Sequence, residues 1–152
     1  MLRFGPELTL STQAAMVQRL AVALQARLIE THLSFVLVGA GHALKLKKAT
    51  KTAFADQSTR EMRRWGCEEE LRLNRRLAPD LYEAVVAITG SASSPVIGGS
   101  GAVIDHAVRM RSFSQDDLWS HRASQGSLAA SDIDSLVAQL VPFHARADVV
   151  NL

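Results

Sequence analysis

Apolar and polar positions alternate in the run HALKLKK, residues 42–48. In an extended chain Leu44 and Leu46 share one face, while Ala43, Lys45 and Lys47 share the other. Upstream, the apolar run Phe35-Val36-Leu37-Val38 is joined to it by Gly39-Ala40-Gly41-His42. Strands at Ser34–Val38 and Ala43–Lys48 therefore form a predicted β-hairpin. The pattern alone fits an edge strand with one wet face; it also fits a lysine with a task on the sheet.

The rest of the chain supplies the other elements. Gln13 to Leu24 reads as a helix capped by Ser11 or Thr12, with Met16, Leu20, Ala23 and Leu24 on one face. Arg27–His32 reads as the first strand, and Ala49–Ser58 as a loop. Thr59 to Leu77 is the strongest helix, rich in good helix formers, with Pro79 just beyond it. Met62, Trp65, Leu73 and Leu77 are its expected buried positions. Ala84–Thr89 reads as a buried strand, Gly90–Gly101 as a Ser/Gly-rich turn, and Ala102–Met110 as a further strand containing the polar pair Asp105-His106. A short helix is expected over Gln115–His121, capped by Ser114. A last helix starts at Ser131 or Asp132, and Pro142 is expected to kink it or end its first part. Five short strands with one helix after the third predict an α+β fold: a curled antiparallel sheet with that helix packed on it.

Composition changes this picture little. The 152 residues suit one globular domain, with 47% hydrophobic and 21% charged residues. A net charge of +2 gives no argument for a nucleic-acid partner. One cysteine, Cys67, excludes an internal disulfide and a cysteine-rich zinc site, and suits a reducing cytoplasm. Arg3, Glu7 and Gln13 interrupt any leader-like apolar core, and no stretch approaches the roughly 20 apolar residues of a membrane span. The expectation is a cytoplasmic protein with no membrane partner. Asp105, His106 and His144 are too scattered for a ligand set, so no metal site is expected. Cys67 is expected to be packed and inert. The arginines Arg60, Arg63, Arg64 and Arg72 share their helix with Glu61, Glu68, Glu69 and Glu70, and read as a solvated face with Glu–Arg pairs such as Glu68–Arg72.

Four stretches carry a family resemblance: IETHLSFVLVGAGHALKLKK (29–48), CEEELRLNRRLAPDLY (67–82), AVRMRSF (107–113) and FHARA (143–147). With their spacing, and with Cys-x-x-Glu-x-x-Leu-Asn-Arg-Arg-Leu-Ala-Pro as the specific signal, the chain resembles the small lobe of aminoglycoside-phosphotransferase-like, protein-kinase-like proteins. It is closest in look to a bacterial group in which that region is often followed by a P-loop ATPase domain. The resemblance implies a five-stranded antiparallel small lobe over 27–113, after an N-terminal helical segment (1–26) and before the start of a helical large lobe (114–152).

It also implies roles. Ala43-Leu44-Lys45 resembles the strand-three Ala-x-Lys triplet, whose alanine lies against adenine and whose lysine reaches the ATP phosphates. Glu70 resembles the helix glutamate that holds that lysine, with Glu69 as the alternative. Lys47, on the same face, is the substitute for Lys45. Thr31, His32 and Ser34 fall in the turn that covers the phosphates in such folds, although no G-x-G-x-x-G is present and a plain hairpin turn also fits. Met110-Arg111 falls near the adenine edge, and His144 near the end of the first long large-lobe helix. Gly98-Gly99-Ser100-Gly101 precedes a strand, so it reads as a hairpin connection and not a phosphate loop.

The pattern also departs from the family. No histidine is followed two residues later by the catalytic aspartate, and there is no G-x-x-x-x-G-K-[ST]. The implied protein is thus a nucleotide-binding small lobe, inactive by itself and weak in ATP binding, with Mg²⁺ entering only in a complete parent kinase. A missing large lobe or ATPase domain is an implied partner. The alternative is a non-catalytic interaction module that self-associates into a homo-oligomer or binds another chain.

Overall fold

The computed structural model describes residues 4–149 and divides the chain into two compact units, Met1–Ser112 and Phe113–Leu152. The first unit is α+β. Its helix α1 (Leu10–Ala23) is followed by strands β1 (Arg27–Glu30), β2 (Ser34–Val38) and β3 (His42–Lys47), helix α2 (Arg60–Asn74), then β4 (Tyr82–Ser91), β5 (Ser94–Ile97) and β6 (Val103–Arg111). All strand pairs are antiparallel, in the order β1-β2-β3-β6-β4-β5. The sheet therefore has six strands, not the five expected. The additional one lies within the Ser/Gly-rich stretch 90–101, where β5 pairs only with β4 at the sheet edge. An edge position tolerates Pro95, which has no N–H to offer a second neighbour. By contrast, β3 lies between β2 and β6 and is no edge strand.

Alternation in the strands splits the apolar residues between two faces. Phe35, Leu37, Leu44 and Leu46 join Met16, Val17, Leu20 and Ala21 of α1 in one core. Ala43, Val108 and Met110 join Cys67 of α2 in another, with Val36, Val38, Leu81, Tyr82 and Val85 at its margin. The sheet is thus covered by α1 on one side and α2 on the other. The cap of α1 is Thr9, two or three residues before the expected one: its hydroxyl accepts from Thr12 N–H, and Thr12 Oγ1 accepts from Thr9 N–H. Ala23 and Leu24, expected inward, are exposed because Val17 and Ala21 complete the buried face instead.

Helix α2 forms where predicted, capped by Thr59, but its inward face differs. Met62, Trp65, Leu73 and Leu77 are all exposed, Trp65 by 67%. The buried positions are Arg60, Arg63 and Cys67, which are spaced at three and four residues. The solvated-arginine reading is therefore corrected for Arg60 and Arg63, whereas Arg64 and Arg72 are exposed and paired with Glu68 and Glu69.

The second unit holds a single 3₁₀ turn (Gln115–Asp117), α3 (Trp119–Ser124) and α4 (Ala130–Ala145). The turn is capped by Ser114, but the expected single helix over 115–121 is split at Leu118. Asp132 accepts from Ala129 N–H at 2.8 Å at the start of α4, and the helix runs through Pro142 to Ala145 instead of ending there. Among the described residues no helix is long and apolar enough to cross a membrane.

Candidate functional site

The register around β3 decides what faces α2. Ala43 stands opposite Val38 and Met110, Lys45 opposite Val36 and Val108, and Lys47 opposite Ser34. Cross-strand partners share a face. Ala43, Lys45, Lys47, Met110 and Ser34 are therefore gathered on the α2 side of the sheet.

Helix α2 delivers one acid to that face. Cys67 is fully buried against the sheet, its Sγ 4.0 Å from the His106 carbonyl, and Glu70 lies three residues further along the same side. Glu70 Oε1 accepts from Lys45 Nζ at 2.8 Å, and Oε2 accepts from Lys47 Nζ at 2.8 Å. One carboxylate thus bridges two ammonium groups. Its neighbours are engaged elsewhere: Glu69 pairs with Arg72 and Glu68 with Arg64. The choice between Glu69 and Glu70 resolves to Glu70, and the expected Glu68–Arg72 pair is replaced by these two.

The three charges differ in accessibility. The Lys45 side chain is 32% exposed, Lys47 13% and Glu70 11%. Burial is the largest influence on Glu70 and pushes its pKa up, but the hydrogen bonds and charges of Lys45 and Lys47 together outweigh it and hold the carboxyl below its ordinary value. Burial pushes the Cys67 thiol up to about 12, so it stays protonated and inert. Lys47 reaches Glu70 across a gap in the helix: a Cβ at Gly66 would sit 2.8 Å from both Cδ and Cε of Lys47.

A buried polar cluster fixes the end of β3. Gln13 Nε2 donates to the Lys47 carbonyl at 2.8 Å and to Asp105 Oδ2 at 2.6 Å, while Gln13 Oε1 accepts from Ala49 N–H at 2.7 Å. Asp105 Oδ1 accepts from Arg63 Nε at 2.8 Å, and both side chains are fully buried. Two helices and two strands are tied together next to the lysines. Asp105 is thus a hydrogen-bonded structural residue. Gln13 and Arg63 were not anticipated; the signal for Arg63 is its spacing of four from Cys67, which marks the inward side of α2.

Thr31 and Ser34 close the β1–β2 turn on each other. Thr31 Oγ1 accepts from Ser34 N–H at 3.0 Å and donates to the Ser34 carbonyl at 3.1 Å. His32 between them stacks on Phe54 with ring centres 6.4 Å apart. The Gly98–Gly101 stretch joins β5 to β6. His144 lies in α4 of the second unit, and Arg111 ends β6.

No family model matches the chain, and no solved structure matches it. It is similar to uncharacterized proteins of Mycobacterium tuberculosis (strain H37Rv) and Mycobacterium bovis, 30% identical over 118 residues, in each case 78% of this chain and 22% of the relative. The chain spans about a fifth of the length of the curated relatives it matches.

Proposed function

We propose that this chain is the nucleotide-binding small lobe of an aminoglycoside-phosphotransferase-like small-molecule kinase. The observation that carries the reading is the ion pair between Lys45, on the third strand, and Glu70, on the helix inserted after that strand, at 2.8 Å. The strand order supports it: β6 lies between β3 and β4, so the last strand of the sheet runs beside the lysine. Lys45 is accessible enough to reach a ligand, while Glu70 is sheltered enough to hold its direction. In this reading Lys45 contacts phosphate oxygens of ATP and Glu70 keeps it extended. Ala43 and Met110, beside Val36 and Val38, form the apolar bed for the base. Thr31 and Ser34 shape the turn that covers the phosphates, since the Thr31 hydroxyl and N–H and the Ser34 N–H are all spent on closing it. Phosphoryl transfer to an acceptor hydroxyl, with Mg²⁺, belongs to a complete parent protein. In this reading the catalytic base and metal ligands belong to that complete parent protein, and this chain by itself is expected to bind nucleotide weakly.

A non-catalytic interaction or dimerisation module is the second reading. What favours it is the exposed apolar side chains of the second unit, with Trp119 of α3 and Ile133, Val137 and Val141 of α4 between 37% and 62% exposed. Titration of ATP into wild type and Lys45→Ala, with and without Mg²⁺, separates the two. The first reading expects at least a roughly tenfold loss on removing a charged phosphate contact. Equal affinity in both proteins sinks it, and mass that rises with concentration without nucleotide binding favours the second.

A further inference from the structure

On the α1 side of the sheet, Leu37, Leu44 and Arg109 form one row across β2, β3 and β6, since each is the register partner of the next. Helix α1 ends beside this row. Gln25 takes φ 49°, its N–H donates to the Val22 carbonyl at 3.2 Å, and the Ala26 N–H donates to the Ala21 carbonyl at 2.9 Å. These two bonds close the helix and stop it there. At that end lies a cavity of about 260 Å³, walled by Leu24, Leu37, Leu44 and Ile97, with His42 and Arg109 in the same lining.

A bulge in β4 arranges the cation. Tyr82 pairs with Met110 and Ala84 with Arg109, so Glu83 between them has no opposite residue. Its Oε2 accepts from Arg109 Nε at 2.9 Å and lies 3.4 Å from His42 Nε2. Glu83 thus holds the guanidinium by its Nε side. Nη1 and Nη2 donate to no protein acceptor among the described residues, so the pair that forks onto a carboxylate is open. An apolar cavity with an oriented guanidinium in its wall suits a ligand built of the same two parts.

The geometry points to a binding site for a small carboxylate with a short apolar tail, the tail lying on Leu37, Leu44 and Ile97 and the carboxylate forked on Arg109. The site lies on the opposite sheet face from Lys45 and Glu70 and shares no residue with the nucleotide reading. It stands or falls separately from that reading.

The test is an amide NMR titration of the full chain with hexanoate, and with hexanol and hexylammonium as probes carrying the same tail. Hexanoate is expected to shift the amides of residues 39–42, Leu44 and Ile97 and to saturate. It binds at least roughly tenfold more tightly than either probe, the size of a charge-assisted hydrogen bond. From butyrate to hexanoate, each added methylene tightens binding about fourfold. Arg109→Gln brings hexanoate down to the level of hexanol. Leu24→Asp changes a wall residue that is 43% exposed, and its carboxylate repels the ligand to similar effect. Lys45→Ala leaves hexanoate affinity unchanged. Failure to saturate by about 10 mM hexanoate overturns the inference. So do shifts confined to other residues, hexanol or hexylammonium binding as tightly as hexanoate, and wild-type affinity in folded Arg109→Gln. Should Arg109→Gln not fold, wild-type affinity in Leu24→Asp overturns it instead.

Discussion

Glu70 holds its charge against its surroundings, and this gives a signed pH dependence. Its folded pKa lies below the ordinary 4.5, because two lysines outweigh burial. A carboxyl lowered on folding stabilises fully above its unfolded value and loses that contribution as pH falls through the folded one. Wild-type unfolding free energy, measured by urea denaturation, is expected to fall more steeply below about pH 5 than that of Glu70→Gln. Equal slopes in the two proteins contradict the geometry. Asp105 makes a stronger statement, since neither it nor Arg63 is exposed at all. Asp105→Ala removes the buried carboxylate paired with the Arg63 guanidinium, which keeps only a looser ion pair with Glu7 at 3.8 Å, and is expected to cost about 3–5 kcal/mol. Replacing both, as Asp105→Leu with Arg63→Met, is expected to be far milder than Asp105→Ala, because no charge is stranded. Chemical denaturation of the three proteins checks the order.

At the level of elements, the β2–β3 hairpin, the span of α2 and the position of Lys45 were legible, because strand alternation and helix propensity are local properties. The inward face of α2 was not. Apolar Met62, Trp65, Leu73 and Leu77 suggest one face, but Arg63 is drawn inward by Asp105, 42 residues away, and no local pattern encodes that distance. Strand β5 escaped notice because Ser, Gly and Pro are common in turns and its only partner is β4. The Lys45–Glu70 pair was read from a resemblance; the sharing of Glu70 with Lys47 needed the register and the gap at Gly66. The hairpin into β5 carries its own prediction. Gly90 has φ +94°, and a Cβ there would meet the Ser94 carbonyl at 2.5 Å. Gly90→Ala is expected to destabilise by about 1–3 kcal/mol, seen as a lower melting temperature, whereas Gly41→Ala, with open space around it, is expected to change little.

At the scale of the molecule, every buried side chain among the described residues lies before Phe113. A chain ending at Ser112 therefore retains all of that core and is expected to unfold in one cooperative transition, with a midpoint within roughly 4–8 °C of the full chain, equivalent to about 1 kcal/mol. Loss of cooperativity in the shorter protein, followed by calorimetry, contradicts this. The single cysteine offers a way to watch the same core. A thiol with no exposed surface and a pKa near 12 is silent toward alkylating and disulfide reagents at neutral pH while the helix stays docked on the sheet. Its labelling rate becomes a clock for the detachment of that helix, and a fluorophore attached through a cysteine introduced on the surface would report without background from the native one.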